Sequence, residues 1–558
     1  MKRLKRILCA LLALTMTAAL FACGQNATTN SDEPGSSASS GTIASPDTSA
    51  SSGGTSAAPG GSNEQAMLDE YVVRRFNGGW GSLLAGLMPN ENLHAADLLF
   101  DRIFVPDPVN KTITSRILTD WYTEDGGRIH ILKMRDDVYF SNGEHATAED
   151  LVYSYTSYRD RLSTQIDAFG ILWDECEAID EYTAKIVLEK PYAGFYYAQY
   201  IPLYSKKWCE ENGWDQVIWL DPIGSGPYYL AEYEQDVSRT FKLRDDYWYK
   251  DDGPFYVDEW QLVQIPDRTT AFMEFEVGTL DMCIPTPQDY TRYLRDGADS
   301  YNVVNKSAGT TVGFYFGMID RFPLWQDQKL REAIMYAIDF VELGETIYQE
   351  RYIPNYSATT SGNPNHIEYD PPKYDPELSK QMLAECGYGP DNPLVLQMTQ
   401  FPTEQTGCEA IQYYLGQVGV TVNLDFPDMA VVASIYRSRE GNDIATWFAM
   451  RGSPFHETRA SMPYAGLFFE SFEYIDDDEF QEAYWNMMEL GAADPAEMSK
   501  WTKEIQRLVH EKTLYVPFGE FPVTMAYYTD KFQERHFDYF ISGNVILLSE
   551  ISFLKNWL

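Results

Sequence analysis

The sequence predicts an α/β protein with two or more packed lobes, on three observations. The chain has 558 residues, more than one hydrophobic core usually serves. Residues 137–155, DVYFSNGEHATAEDLVYSY, read as a strand end at Val138 and Phe140, a turn on Asn142-Gly143, and a helix start. Downstream, β-type runs at 312–316 and 422–424 adjoin helical patterns at 329–341 and 410–420, repeating that alternation.

Asn-Gly is a strong turn signal because both residues tolerate positive φ. Thr147 followed three residues on by Asp150 fits a capping box, and Leu151 and Tyr155, four apart, give the helix one apolar face. In 329–341, Leu330, Ala333, Ile334, Ala337, Ile338 and Val341 recur at helical spacing, which predicts one amphipathic helix. Asp375-Pro376 and Cys386-Gly387 bracket another helix, and 504–511 leads as a helix into a strand beginning near Leu514.

Acidic residues outnumber basic ones 83 to 43, a formal charge of −40. Such a chain is repelled by phosphate backbones, so nucleic acid is not an expected partner. Aromatic residues make up 15%, enough to fill a core and to line a cleft with flat faces.

Residues 1–23 read as a targeting segment. Lys2, Arg3, Lys5 and Arg6 form a basic start, and the apolar run 7–21 is too short for a comfortable membrane span. Leu20-Phe21-Ala22-Cys23 resembles a bacterial lipobox, which makes Cys23 the expected lipidation site. Residues 24–65 are Ser-, Gly-, Thr- and Ala-rich and read as a disordered tether. Its composition gives a span of roughly 35 Å. With Cys9 removed and Cys23 lipidated, Cys176, Cys209, Cys283, Cys386 and Cys408 remain. Their wide spacing argues against zinc; one disulfide is compatible with it, and at least one thiol stays free or pairs between molecules.

No HExxH, GxSxG or Walker A pattern occurs, and His456-Glu457 is a lone neighbour pair. Gly224-Ser225-Gly226 lacks the third glycine and the following helix of a dinucleotide fingerprint. No catalytic residue, metal or cofactor is therefore expected. With 83 acids, a close carboxylate pair carries little information, so a cell-surface hydrolase is the weakest reading.

The pattern FxxGxxxTAxDLxxS at 140–154 is preceded by Trp121, Asp125-Gly126 and Leu132-Lys133-Met134-Arg135. With it go Leu98-Leu99-Phe100-Asp101-Arg102-Ile103-Phe104, Pro222-Ile223-Gly224-Ser225-Gly226-Pro227-Tyr228 and Leu243-Arg244-Asp245-Asp246-Tyr247-Trp248. Further on stand Asp267-Arg268-Thr269-Thr270-Ala271-Phe272, Tyr336-Ala337-Ile338-Asp339 and Leu514-Tyr515-Val516-Pro517-Phe518. Together, in order from about residue 98 to 517, these segments resemble the family 5 solute-binding proteins of ABC importers, the peptide-, nickel- and oligosaccharide-binding lipoproteins.

The resemblance implies a periplasmic-binding-protein-like fold: two α/β lobes, two hinge crossovers, and a β-rich subdomain inserted in the first lobe. It places lobe I at 66–98, 186–308 and 514–558, the insert at 99–185 and lobe II at 309–513, with crossovers near 305–313 and 513–518. It implies an extracytoplasmic monomer, held to the membrane by lipid alone, that delivers a small solute to ABC permease subunits. The first expectation for cargo is an oligopeptide; the alternative is an oligosaccharide or other uncharged solute. Candidate ligand-binding residues are Trp447, Phe448, Arg451, Trp80, Asn77 and Phe316. Peptide binders of this family often carry an Asp three residues after the tryptophan, paired with the ligand ammonium. Here Met450 stands at that position, and no acid lies between Ile444 and Phe455.

Overall fold

The computed structural model describes residues 72–77, 90–107, 112–157, 170–197, 201–213, 223–234, 237–249, 255–316, 327–349, 352–427, 431–432, 443–447, 475, 477–538 and several positions between 540 and 552. The leader, the tether, Trp80, Phe448, Met450 and Arg451 lie outside the described residues.

In chain order the strands are β1 Val72–Asn77, β2 Val105–Asp107, β3 Thr112–Thr114, β4 Leu118–Glu124, β5 Ile129–Met134, β6 Glu177–Ala178, β7 Thr183–Val187, β8 Tyr228–Glu234 and β9 Ser238–Leu243. They continue with β10 Glu259–Gln264, β11 Met282–Cys283, β12 Tyr301–Phe316, β13 Val395–Thr399, β14 Thr421–Asp425, β15 Ile444–Trp447, β16 Tyr515–Tyr528, β17 Phe540–Ser542 and β18 Val545–Ile546. The main sheet runs β15-β12-β16-β11-β1-β10-β9-β8. β1 is parallel to both β10 and β11, and the other pairings in that sheet are antiparallel.

Two strands in this sheet are far longer than the rest, and they join the lobes. Residues 301–307 of β12 lie against 522–528 of β16, whose other edge carries β11. Residues 313–316 of β12 lie between 515–517 of β16 and β15. The register breaks between Ser307 and Thr310 and again between Val312 and Gly313. Such irregularities bend a strand and increase its twist. The irregular rungs of β12 lie in the stretch where the first crossover is expected, 305–313. On β16 they face residues 517–522, a few positions later than 513–518, because those rungs oppose the irregular stretch of β12.

The insert is a four-stranded antiparallel sheet, β4-β5-β7-β6, covered by helix Ala148–Thr156. The corner at 137–155 is built as the sequence suggests. Gly143 has φ +79, and Asn142 Oδ1 accepts from the Glu144 N–H at 2.9 Å. The Asp150 carboxylate accepts from the Thr147 N–H at 2.9 Å and also from the Lys206 N–H at 2.8 Å. It therefore caps its own helix and ties it to the start of helix Lys206–Asn212. The strand end around Val138 and Phe140 reduces to a single bridge between Tyr139 and His145.

In the second lobe β13 and β14 pair in parallel, flanked by helices Gln405–Gln417 and Pro376–Glu385. The single helix expected at 329–341 divides. Helix Gln328–Ala337 ends where Ile338 turns extended (φ −112, ψ 127). Asp339 then caps a new turn, its carboxylate accepting from the Glu342 N–H at 2.9 Å. The apolar spacing is continuous, but an Asp at the seam offers the backbone an alternative to helix. The helix read at 504–511 is longer, Pro495–Lys512, with Asp494 at its N-cap and Pro495 in its first turn.

Three of the sequence motifs meet at one buried carboxylate. Asp101, at the end of helix Asn90–Leu99, accepts from the Tyr247 hydroxyl at 2.8 Å and from the Trp248 indole at 3.2 Å, with Arg116 Nε 3.4 Å away. Burial pushes its carboxyl above the usual range, and Arg116, Tyr247 and Trp248 pull it back. Its N–H donates to Ser225 Oγ at 3.0 Å, within the 222–228 loop. The glycines of that loop serve close approach rather than a tight turn. A Cβ on Gly224 would lie 2.1 Å from the Leu99 carbonyl oxygen, and one on Gly226 2.6 Å from the Leu99 carbonyl carbon. All five described cysteines are free thiols.

Gly224→Ala is expected to lower the melting temperature by several degrees, since the added carbon meets backbone that cannot move aside. Gly416→Ala, where a Cβ meets nothing within 4 Å, is expected to leave it unchanged or slightly raised. Asp101→Asn cannot accept from all its present donors and is expected to cost about 3 kcal/mol in denaturant unfolding. A wild-type melt for Gly224→Ala would refute the close-approach account.

Candidate functional site

The site is built from the bend where β12 and β16 pass between the lobes. Trp447, last residue of β15, stands opposite Gly313, next to the register break. Phe316 stands opposite Ile444, at the far end of the same pairing, and its ring packs edge-on against Phe314 in the core, centroids 5.4 Å apart. Asn77 closes β1, opposite Gln264 at the end of parallel β10. The carboxyl ends of parallel strands beside a change of strand order are where α/β sheets leave a crevice. The Gln264 side-chain oxygen there is buried without a donor among the described residues. Trp447 and Phe316 thus share one strand pair at opposite ends, and Asn77 lies on a different strand of the sheet.

Beneath the bend lies a polar network. Residues 352–367 meet β16 at one antiparallel bridge, where Ile353 and Glu520 exchange backbone hydrogen bonds of 2.9 and 2.8 Å. A Cβ on Gly519 would lie 2.5 Å from the Tyr352 ring, so the segment seats flat on the strand. The Glu520 carboxylate is fully buried. It accepts from the Asn355 amide at 2.8 Å, from the Ser361 N–H at 2.6 Å and from the Ser307 hydroxyl. Gln506, on helix Pro495–Lys512, holds the other end of the segment. Its oxygen accepts from Ser357, Thr359 and the Ile367 N–H at 2.8–2.9 Å, and its amide donates to the Asn365 carbonyl at 2.9 Å.

Residues 190–193 also meet the end of helix Asp478–Leu490. The Ala193 N–H donates to the Met488 carbonyl at 3.0 Å, near the end of helix Asp478–Leu490. Lys190 approaches Glu489 at 3.7 Å and lies 5.0 Å from the Trp485 ring centroid. A cation and an N–H donor at a helix C-terminus satisfy its free carbonyls and complement its dipole.

Among the described residues no group of three His, Cys, Asp or Glu side chains is placed to hold a metal ion, and no helix is long and apolar enough to cross a membrane. Sequence reading missed Glu520, Gln506 and Gln264. Glu520 had a visible signal, as a lone acid in the otherwise apolar run Val516-Pro517-Phe518-Gly519-Glu520-Phe521.

Two α/β lobes spanned by paired strands, with an inserted β-rich subdomain, define a two-lobed solute-binding protein. Residues 112–462 match the family described as bacterial extracellular solute-binding proteins, family 5 Middle, and the chain belongs to that family. Heme-binding protein A of Haemophilus influenzae is 23% identical over 446 residues, 73% of this chain and 78% of that protein. The fold is shared with NikA from Brucella suis in complex with Fe(III)-EDTA, at a TM-score of 0.68 and 19% identity over 82% of this chain and 96% of that one. It is shared equally with DppA from Helicobacter pylori in complex with peptide STSA, at a TM-score of 0.67 and 18% identity over 86% and 97%.

Gln506→Leu removes the acceptor of two hydroxyls and one backbone N–H inside the protein, each costing about 1–3 kcal/mol when unpaired. The Ile367 amide is expected to exchange at least tenfold faster in deuterium-exchange mass spectrometry, with β13 and β14 unaffected. Unchanged protection at Ile367 would show that the segment is held by other contacts.

Proposed function

We propose that this chain is an extracytoplasmic lipoprotein that captures an oligopeptide between its lobes and delivers it to an ABC importer. The observation that carries the reading is the pair of long strands, β12 and β16, whose pairing is interrupted twice between Ser307 and Gly313. A ligand touching both lobes holds such a hinge shut, and the transporter can then distinguish loaded from empty receptor. The peptide-bound structure sharing this fold supports a peptide cargo. The leader and Cys23 support a lipid anchor on a monomeric body, with permease subunits as the protein partner. Lobe I is assigned to 66–98, 186–308 and 514–558, the insert to 99–185 and lobe II to 309–513. Trp447, Phe448, Arg451, Trp80 and Asn77 are the proposed ligand contacts; Phe316 joins them only if the core around Phe314 opens.

A second reading, an oligosaccharide or other uncharged solute, is favoured by Met450 at the position of the usual acid. An ammonium buried there without a counter-charge costs several kcal/mol. Titration calorimetry with tetra-alanine and its N-acetylated form separates the readings. The expected result is tighter binding of the acetylated peptide, with Met450→Asp shifting preference towards the free amine. Strong wild-type preference for the free amine would restore an ordinary ammonium anchor. Binding of neither peptide, with sugar found in native mass spectra of the purified protein, would replace the peptide reading by the second.

A further inference from the structure

We infer that Glu520 is a positioning residue of the hinge: one carboxylate whose two oxygens hold the two lobes in register across the bend. Its place in the strand pairing is the first argument. Glu520 stands opposite Thr311, between the two register breaks of β12. Bending of the strand pair concentrates where the ladder is interrupted, so a side chain fixed at this rung bears on the hinge angle.

The second argument is the division of its bonds. Oε2 accepts from the Ser307 hydroxyl, on the first-lobe side of the break. Oε1 accepts from the Asn355 amide at 2.8 Å and the Ser361 N–H at 2.6 Å, both on a segment that Gln506 pins to the second lobe. A rotation of one lobe against the other has to stretch one set of these bonds or the other.

The third argument is the chemistry of the group. Glu520 is fully buried, and its carboxylate partners among the described residues are neutral donors. A buried carboxylate that loses a donor has neither water nor a cation to turn to, so its bonds are kept or lost together. The described arrangement, with Ala193 bonded to Met488 and the lobes in contact, satisfies all of them at once. The network therefore favours that hinge angle before any ligand enters. The fold alone does not require an acid here; a strand of apolar residues would pair equally well.

This inference rests on the solute-capture reading, and its test separates the two. Small-angle scattering of the ligand-free protein is compared for wild type, Glu520→Ala, Ser307→Ala and Glu520→Gln. Both alanine variants are expected to show a larger radius of gyration than wild type, and Ser307→Ala does so without opening a hole in the core. Glu520→Gln keeps one carbonyl acceptor and turns the other oxygen into a donor that the Ser307 hydroxyl accepts, so it is expected to stay near wild type. The affinity for acetylated tetra-alanine is expected to fall about tenfold in the alanine variants, a typical coupling between a conformational equilibrium and a site. Alanine variants with the wild-type scattering profile, differing only in melting temperature, would overturn the inference. A wild type that binds no peptide would count against the peptide reading alone, because the scattering comparison needs no ligand.

Discussion

The fold depends first on the buried carboxylate of Asp101. Putting a charge where water cannot reach is costly, and the structure offsets it by aiming Tyr247, Trp248 and Arg116 at the two oxygens. Two of these groups arrive from a distant part of the chain, Tyr247 and Trp248 being 146 and 147 residues away in sequence. Satisfying one acid thus fixes the end of helix Asn90–Leu99 against the 222–228 loop and the segment after β9. The loop then reaches the insert, since the Gly224 carbonyl accepts from the Ser141 N–H at 2.8 Å while the Gly224 N–H donates to Ser141 Oγ at 3.1 Å. Arg244 closes the knot by donating to the Gly226 carbonyl at 2.9 Å. The corner at 137–155 is therefore held at its turn by a loop whose own position is set from Asp101.

That rigidity is what gives the hinge something to move. A sheet whose strands all end within one lobe transmits no motion to the other; here the main sheet is continuous through β12 and β16. The ladder is interrupted only between Ser307 and Gly313, where fewer backbone bonds resist bending. On either side aromatic pairs brace the strands, with Tyr315 stacked on Tyr515 at 4.8 Å beyond the irregular rungs and Tyr301 against Phe275 at 5.2 Å before them.

Much of this was legible in the sequence, and the reasons divide cleanly. Local rules worked where structure is local: the Asn142-Gly143 turn, the Thr147 to Asp150 capping box, and the Asp375 cap before Pro376. The family pattern supplied the lobes and the crossovers, which no periodicity could have done. What the sequence hid was the purpose of its own motifs. The 98–104, 222–228 and 243–248 segments read only as pieces of a family pattern, and they form a structural junction whose partners lie more than a hundred residues apart. The helix break at Ile338 was hidden because the apolar spacing continues through it, and only the Asp339 side chain reveals it. Glu520 and Gln506 are each one polar letter in an apolar or amphipathic run, and their partners sit 139 to 213 residues away in sequence.

Two acids bear on ligand recognition, one absent and one present, and they are not interchangeable. In the proposed reading, the acid absent at 450 is one that a ligand ammonium would meet. Glu520 is an acid of the same charge, two strands from β15, but its oxygens are already committed to Ser307, Asn355 and Ser361. An ammonium could engage it only by displacing those donors, leaving buried amide and hydroxyl groups unpaired at a cost comparable to the gain. The buried acid consequently acts on the hinge angle and not on the cargo's charge.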